Sequence, residues 1–344
     1  MNSPRAESLP RRITGNIAKG ERLGVVMALI LMCVLLGFAS PFFFTGTNLL
    51  NIGTSISIVG IAAAGSAIVM IGGGIDISIG STVALTGVVG AVMMEGLGIG
   101  TVGGVLATVT AGALAGLING VLVVNMGVNP LIATLGTLSI FRGLAFVVSS
   151  GEAVGVSDPS YLAIGSGNLF GIPFPLIIMI IVFLLVGAML KWTNIGRNIY
   201  ALGGNKQAAK LAGIRIKRYE VGIYVACGAL SGLAAVILTA RLGSAQPIAG
   251  IGLELNAIAA CVLGGISLAG GVGSMGGVVL GVLVLGVVNN GLNILQVDSF
   301  YQYIARGAVL LIAVALDQFN IKRRAKIDAL SRRSKEIIDD DQDP

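Results

Sequence analysis

The sequence predicts an all-α integral membrane protein with about ten transmembrane helices (eight to ten) in two inverted repeats, some helices broken or re-entrant. Three observations carry this. The 344-residue chain is 55% hydrophobic and only 11% charged, with a mean hydropathy of +0.94. A soluble domain carries about a quarter charged residues, so this chain has too little polar surface to face water. Its apolar runs are longer and more uniform than the alternating segments of about ten residues that build a membrane barrel. The basic residues are also grouped. Five of the 22 Lys and Arg precede Leu23, seven lie in Lys191–Arg218, and seven follow Gln318. By the positive-inside rule all three blocks are cytoplasmic. The net charge of +6 therefore follows membrane topology and implies no nucleic-acid partner.

Taken in order, residues 1–23 form a basic cytoplasmic leader. The run Gly24–Phe44 exceeds the apolar core of a signal peptide, roughly 7–15 residues, and is expected to be an uncleaved first span. Further apolar segments fall near 48–71, 78–94, 98–125, 130–149, 174–190, 220–240, 254–269, 272–295 and 299–317. Six spans then separate the first basic block from the second, and four more lead to the third. Eight spans keep the same parity if 78–94 and 254–269 are broken or re-entrant. The membrane domain is thus expected over 24–318, with a charged cytoplasmic tail over 319–344. Ser150–Pro173 has Glu152 and Asp158 and no basic residue, as an external loop should.

The two halves share an order of residue types. Gly74, Asp76 and Ser78, then Asn119, then Arg142 in the first half match Gly252, Glu254 and Asn256, then Asn289, then Arg306 in the second. These repeats, near 48–150 and 219–318, join through 191–218. An offset of five spans makes them inverted, a transporter design with the pathway at the repeat interface. Gly112, Gly116 and Gly120, and likewise Gly273, Gly277 and Gly281, recur at four-residue spacing, which lets helix backbones approach closely in lipid.

Residues 191–218 hold seven basic residues and no acidic one. Inside lies a short helix signature: Asn205 as N-cap, Lys206 to Ala212 as helix, Gly213 as left-handed stop. So short a helix is marginal alone, which points to a partner. Asp76 and Glu254 each follow a glycine-rich break and precede a new span, where a carboxylate can cap a helix N-terminus. The alternative is a polar lining of the pathway, or a hinge. Asn119, Asn289 and Asn290 can bind a polar solute or glue helices together. Arg142, Arg241 and Arg306 sit toward the external side, either snorkelling or pairing with a repeat-mate acid, or attracting an acidic partner at the external surface. The chain has no His, and Cys33, Cys227 and Cys261 fall singly in apolar runs, without the spacing of a disulfide or zinc framework. No Gly-Lys pair exists to end a phosphate-binding loop. No catalytic, cofactor or metal site is predicted.

The segments GGGIDISIGSTVALTG, NPLIATLGTLSIFRGLA, GRNIYALGGNKQAAKLAGI, SAQPIAGIGLELNAIAACVLGGISLAGGVGS and NNGLNIL, in that order, resemble the permease subunit of ribose-type bacterial ABC sugar importers, roughly from Pro41 to Asp317. The resemblance implies a multi-pass inner-membrane dimer that passes a monosaccharide, a pentose such as ribose, and whose two ABC ATP-binding subunits carry ATP-Mg on the cytoplasmic face. It also implies a periplasmic sugar-binding protein outside. Gly203, Gly204, Asn205, Lys206, Ala208, Lys210 and Gly213 then fall on the coupling loop to the ATPase. Inverted repeats alone would equally suit an ion-coupled secondary transporter, and a passive channel or scaffold is the third class.

Overall fold

The computed structural model describes residues 8–298 and scattered positions between 300 and 315, with side chains from residue 23. Of the expected segment 299–317 only scattered positions are described, and Arg306 lies outside the described residues. Among those residues the chain forms twelve α-helices. Helix α1 (Ser8–Ala39) takes in most of the basic leader. It is followed by α2 (Gly46–Ile71), α3 (Ile79–Leu97), α4 (Gly100–Gly120) and α5 (Pro130–Val148). The short α6 (Pro159–Ser166) precedes α7 (Phe174–Trp192), α8 (Asn194–Gly204) and α9 (Lys206–Leu211). The series ends with α10 (Ile216–Leu242), α11 (Leu253–Leu263) and α12 (Met275–Ile294).

Seven of these, α2, α3, α4, α5, α7, α10 and α12, are long and apolar enough to cross a membrane. The segment expected over 254–269 is helical only as α11. Gly264 and Gly265, the latter at φ +80°, stop it after eleven residues, short of the roughly 17–25 a span requires. Hydropathy continues past this stop, so the sequence pattern overran the helix. Gly273 likewise precedes α12 instead of sharing its face with Gly277 and Gly281.

Local chemistry sets the boundaries. Thr45, Asn129, Thr193 and Ser274 accept a backbone N–H with their side chains at the starts of α2, α5, α8 and α12, satisfying donors that have no intrahelical partner. The core centres on α2, whose residues from Gly60 to Ile71 are all buried, packed among α7, α10, α11 and α12. The most extensive helix pairing among the described residues joins α4 to α10. A Cβ added at Gly112 would strike the Gly228 carbonyl, and one at Gly228 would strike the Gly112 carbonyl; Gly116 meets Tyr224 O in the same way. On the second half, Gly277 lies against Gly264 and Gly281 against Ala260.

The connection from α5 to α7 is structured. β1 (Val154–Gly155) and β4 (Ser244–Ala245) pair antiparallel, tying it to the end of α10, and β2 (Asn168–Leu169) with β3 (Ile172–Pro173) makes a small hairpin. Ser157 donates through N and Oγ to Glu95, at 2.9 and 3.0 Å. Thr101 donates to Asp158 at 2.7 Å, and Asp158 caps α6. Phe170, at the hairpin tip, is 97% exposed.

Candidate functional site

Two helix breaks, one from each half of the sequence, organise the interior. In the first, Gly72 ends α2, Gly73 turns at φ +84°, and the chain runs non-helically to Ser78 before α3 begins. Asp76, 3% exposed, lies within this break. Its Oδ1 accepts from Ser78 N at 2.8 Å and Ser78 Oγ at 2.7 Å. Asn119, in the last turn of α4, donates to Asp76 Oδ2 at 3.3 Å and to Ser78 Oγ at 2.8 Å. Thr137 on α5 donates to Asn119 Oδ1 at 2.7 Å. The chain of donors is directed: Thr137 hydroxyl to amide, amide to hydroxyl and carboxyl. A buried polar network of this kind stabilises when every member is paired. The helix after Asn119 loosens into a π-turn, Val121–Asn125, a feature frequent at functional sites.

The second break runs from Gly243, at φ +67°, to Gly252, at φ +78°. Arg142 reaches into it from α5, its Nη1 donating to the Pro247 and Ala249 carbonyls at 2.6 Å each. Those carbonyls have no helix to bond to, and a guanidinium supplies the donors. Arg142 is therefore half-buried against the loop. Glu254 accepts from Gly252 N at 3.3 Å and interacts electrostatically with Arg142. Its carboxyl, together with the Gly250 carbonyl, occupies the space a side chain would need at Gly80, in the first turn of α3. The two breaks thus meet where α3 begins. Asn256 lies half-buried one turn into α11.

A third junction lies on the face carrying the central basic block. Helix α9 is capped by Asn205, which accepts from Ala208 N at 2.9 Å, and closed by Gly213 at φ +79°. Lys206 pairs with Glu220 at 2.5 Å. Ala208 and Lys210 are exposed, Ala209 is buried, and Leu211 is 90% exposed. Immediately before this helix, Gly203 sits against the Ile71 carbonyl, and Gly204 against Gly271. Gly271 N donates to Ile71 O at 2.8 Å, and Tyr200 OH donates to Gly273 O at 2.9 Å. Three glycine segments, 72–74, 203–204 and 270–273, are in backbone contact here.

The predicted residues therefore divide. Asp76, Ser78 and Asn119 form one network, and Glu254 joins Arg142. Asn289 and Asn290 lie apart from both, in a cleft between α2 and α12 that Arg241 also lines. Sequence reasoning missed Thr137, Tyr200, Leu211 and Phe170. Only Leu211 had a signal, as the one large apolar residue of a short helix in a basic block.

The chain matches the model of the family described as branched-chain amino acid transport system / permease component over residues 48–314. It is 38% identical to the L-arabinose ABC transporter permease protein AraH of Azospirillum brasilense over 331 residues, covering 94% of this chain and 96% of that one. It is 40% identical to the L-arabinose transport system permease protein AraH of Escherichia coli K12, covering 89% and 92%. With the ribose import permease protein RbsC of the same strain the identity is 44%, covering 85% and 92%. No solved structure matches the chain. A polytopic helical body with paired breaks at its centre, matched over most of its length, makes this chain a member of the branched-chain amino acid transport system / permease component family.

Proposed function

We propose that this chain is the membrane-spanning permease subunit of an ABC importer, passing a monosaccharide across the inner membrane. The sugar is a pentose of the ribose or arabinose type. A periplasmic binding protein delivers it, and a separate ATP-binding subunit, holding ATP-Mg, drives the cycle. Two copies of the chain form the pathway, and the face carrying α9 is cytoplasmic. The observation that carries this reading is the identity of about 40% to arabinose and ribose permeases over most of the chain.

The geometry supports a mechanism without covalent chemistry. Helix α9 offers an exposed apolar residue, Leu211, and exposed Ala208 to an ATPase. Displacement of α9 would pass through Gly203 and Gly204 to the end of α2 and the loop before α12, because these backbones touch without side chains between them. The first break then shifts against α4 and α5 through Asp76, Asn119 and Thr137. The second break, held by Arg142, shifts against α3. Two breaks related as inverted repeats would open alternately to the two sides. Phe170 and Arg241 lie on the external face, where the binding protein docks.

The test is purification of the complex in mild detergent, identification of co-purifying subunits by mass spectrometry, and sugar uptake in proteoliposomes. An ATP-binding subunit in about equal amount, with uptake requiring ATP, is expected. Uptake by this chain alone, driven by a proton gradient, would replace the reading with that of a secondary transporter.

A further inference from the structure

The first turns of α2 and the last turns of α12 enclose a cleft of about 360 Å³, within the range of small-molecule pockets, about 300–1,000 Å³. At its rim Asn48 and Asn290 exchange amide hydrogen bonds, 3.1 Å in one direction and 2.7 Å in the other. Asn289 lies beside them on α12 and Arg241 reaches in from the last turn of α10. Asn51 and Ser55 complete the polar lining. Four residues apart on α2, they share one helix face, and both are exposed. Among the described residues no hydrogen bond or ion pair engages the side chains of Asn51, Ser55 or Arg241.

That exposure is out of keeping with a lipid-facing surface. At 1.5 Å per residue, Ser55 lies roughly 13 Å along α2 from its start, within a hydrocarbon layer of about 30 Å. Polar side chains at that depth face protein or a water-filled path, not lipid. The chemistry of the lining narrows the occupant. Amides and a hydroxyl offer donors and acceptors together, the Arg241 guanidinium adds donors, and Ile52, Ile56 and Leu285 supply an apolar wall. The lining contains no carboxylate, so nothing in it would neutralise the ammonium of an amino acid. An uncharged polyhydroxylated ring satisfies both the amides and the wall.

We propose that this cleft is a binding site for the monosaccharide on the face opposite α9, with Asn51 and Ser55 contacting its hydroxyls. The proposal rests on the importer reading and adds where, and by which groups, the sugar is held.

The test uses the co-purified complex in proteoliposomes, with Asn51→Cys placed in a Cys33→Ala background; Cys227 and Cys261 are buried. Reaction with a charged maleimide is timed alone, with D-ribose, with L-arabinose and with L-leucine. Slowing of about threefold or more by a pentose and none by leucine is expected. In parallel, Asn51→Ala and Ser55→Ala should each lower ATP-driven pentose uptake about tenfold, with subunit assembly and ATP hydrolysis unchanged. Labelling unaffected by either sugar, in vesicles whose wild-type complex accumulates sugar, overturns the proposal and leaves the importer reading standing. Protection by leucine overturns it in favour of an amino acid. A disulfide joining two Asn51→Cys copies, with no maleimide reaction, overturns it by making the cleft a contact between copies. A wild-type complex that accumulates neither sugar removes the importer reading, and the sugar assignment with it.

Discussion

Asn119 is the residue on which the first break turns. Its amide joins Asp76 and Ser78 on one side to Thr137 on the other, and it is 1% exposed. Replacing it with Leu keeps the volume but leaves Asp76 Oδ2 and the Thr137 hydroxyl without this partner. The expected cost is about 1–3 kcal/mol, more if the carboxyl is charged, read as a fall in the thermal midpoint of the purified complex. Asp76 and Asn119 were visible in the sequence because polar residues are rare in apolar runs. Thr137 was not, because threonine is ordinary in such runs and its role depends on α5 folding back beside α4. Arg142 shows the complementary limit. The sequence placed it near one side of the membrane but could not show that it turns inward to two loop carbonyls instead of outward to a partner.

At the scale of elements, α9 and the α5–α7 connection carry the clearest consequences. The cap at Asn205 and the stop at Gly213 were legible because short-range rules govern both. The end of α11 was not, since an apolar stretch continues through Gly264 and Gly265 and hydropathy does not register a left-handed turn. If α9 docks on an ATPase, Leu211→Glu removes a buried apolar contact worth about 2 kcal/mol, roughly 30-fold in affinity, measurable as loss of the co-purifying subunit. Ala208→Glu, which adds a charge on the exposed side, should leave uptake uncoupled from ATP hydrolysis in complexes that still assemble; normal uptake would remove α9 from the coupling path. On the other face, the Thr101 hydroxyl, followed by the Ser160 amide, holds the Asp158 carboxyl below its ordinary pKa. A depressed folded-state pKa stabilises above the unfolded value, about 3.9, and the contribution disappears as pH falls through the folded value. Amide exchange in α6 should therefore accelerate in that acid window, and Asp158→Asn should abolish this pH dependence.

The whole molecule is two broken-helix systems braced against each other, with α9 attached where the first break touches the loop before α12. Seven described helices are long and apolar enough to cross a membrane, against eight to ten expected, but the placing of the long apolar segments followed from hydropathy because the bilayer imposes a length on every span. The meeting of the breaks at Gly80, and of 72–74, 203–204 and 270–273, did not, because close backbone approach leaves only glycine in the sequence, and this chain has 52 of them. Enlarging Gly203 drives a methyl into the Ile71 carbonyl. Gly203→Ala should cost about 1–3 kcal/mol through backbone displacement. It should also depress uptake more than subunit assembly, checked by comparing transport with co-purification in one preparation.

The seam between α4 and α10 has a further consequence for how this sequence can change. At most packed positions a larger residue on one helix is accommodated by a smaller one opposite. Here the atoms opposite Gly112, Gly116 and Gly228 are backbone carbonyls and amides, which no substitution can shorten. Suppressor mutations for Gly112→Val should therefore not arise anywhere along the facing stretch of α10. A saturation screen would find these glycines fixed individually instead of co-varying, so a backbone-to-backbone contact this close would leave no trace in pairwise coevolution.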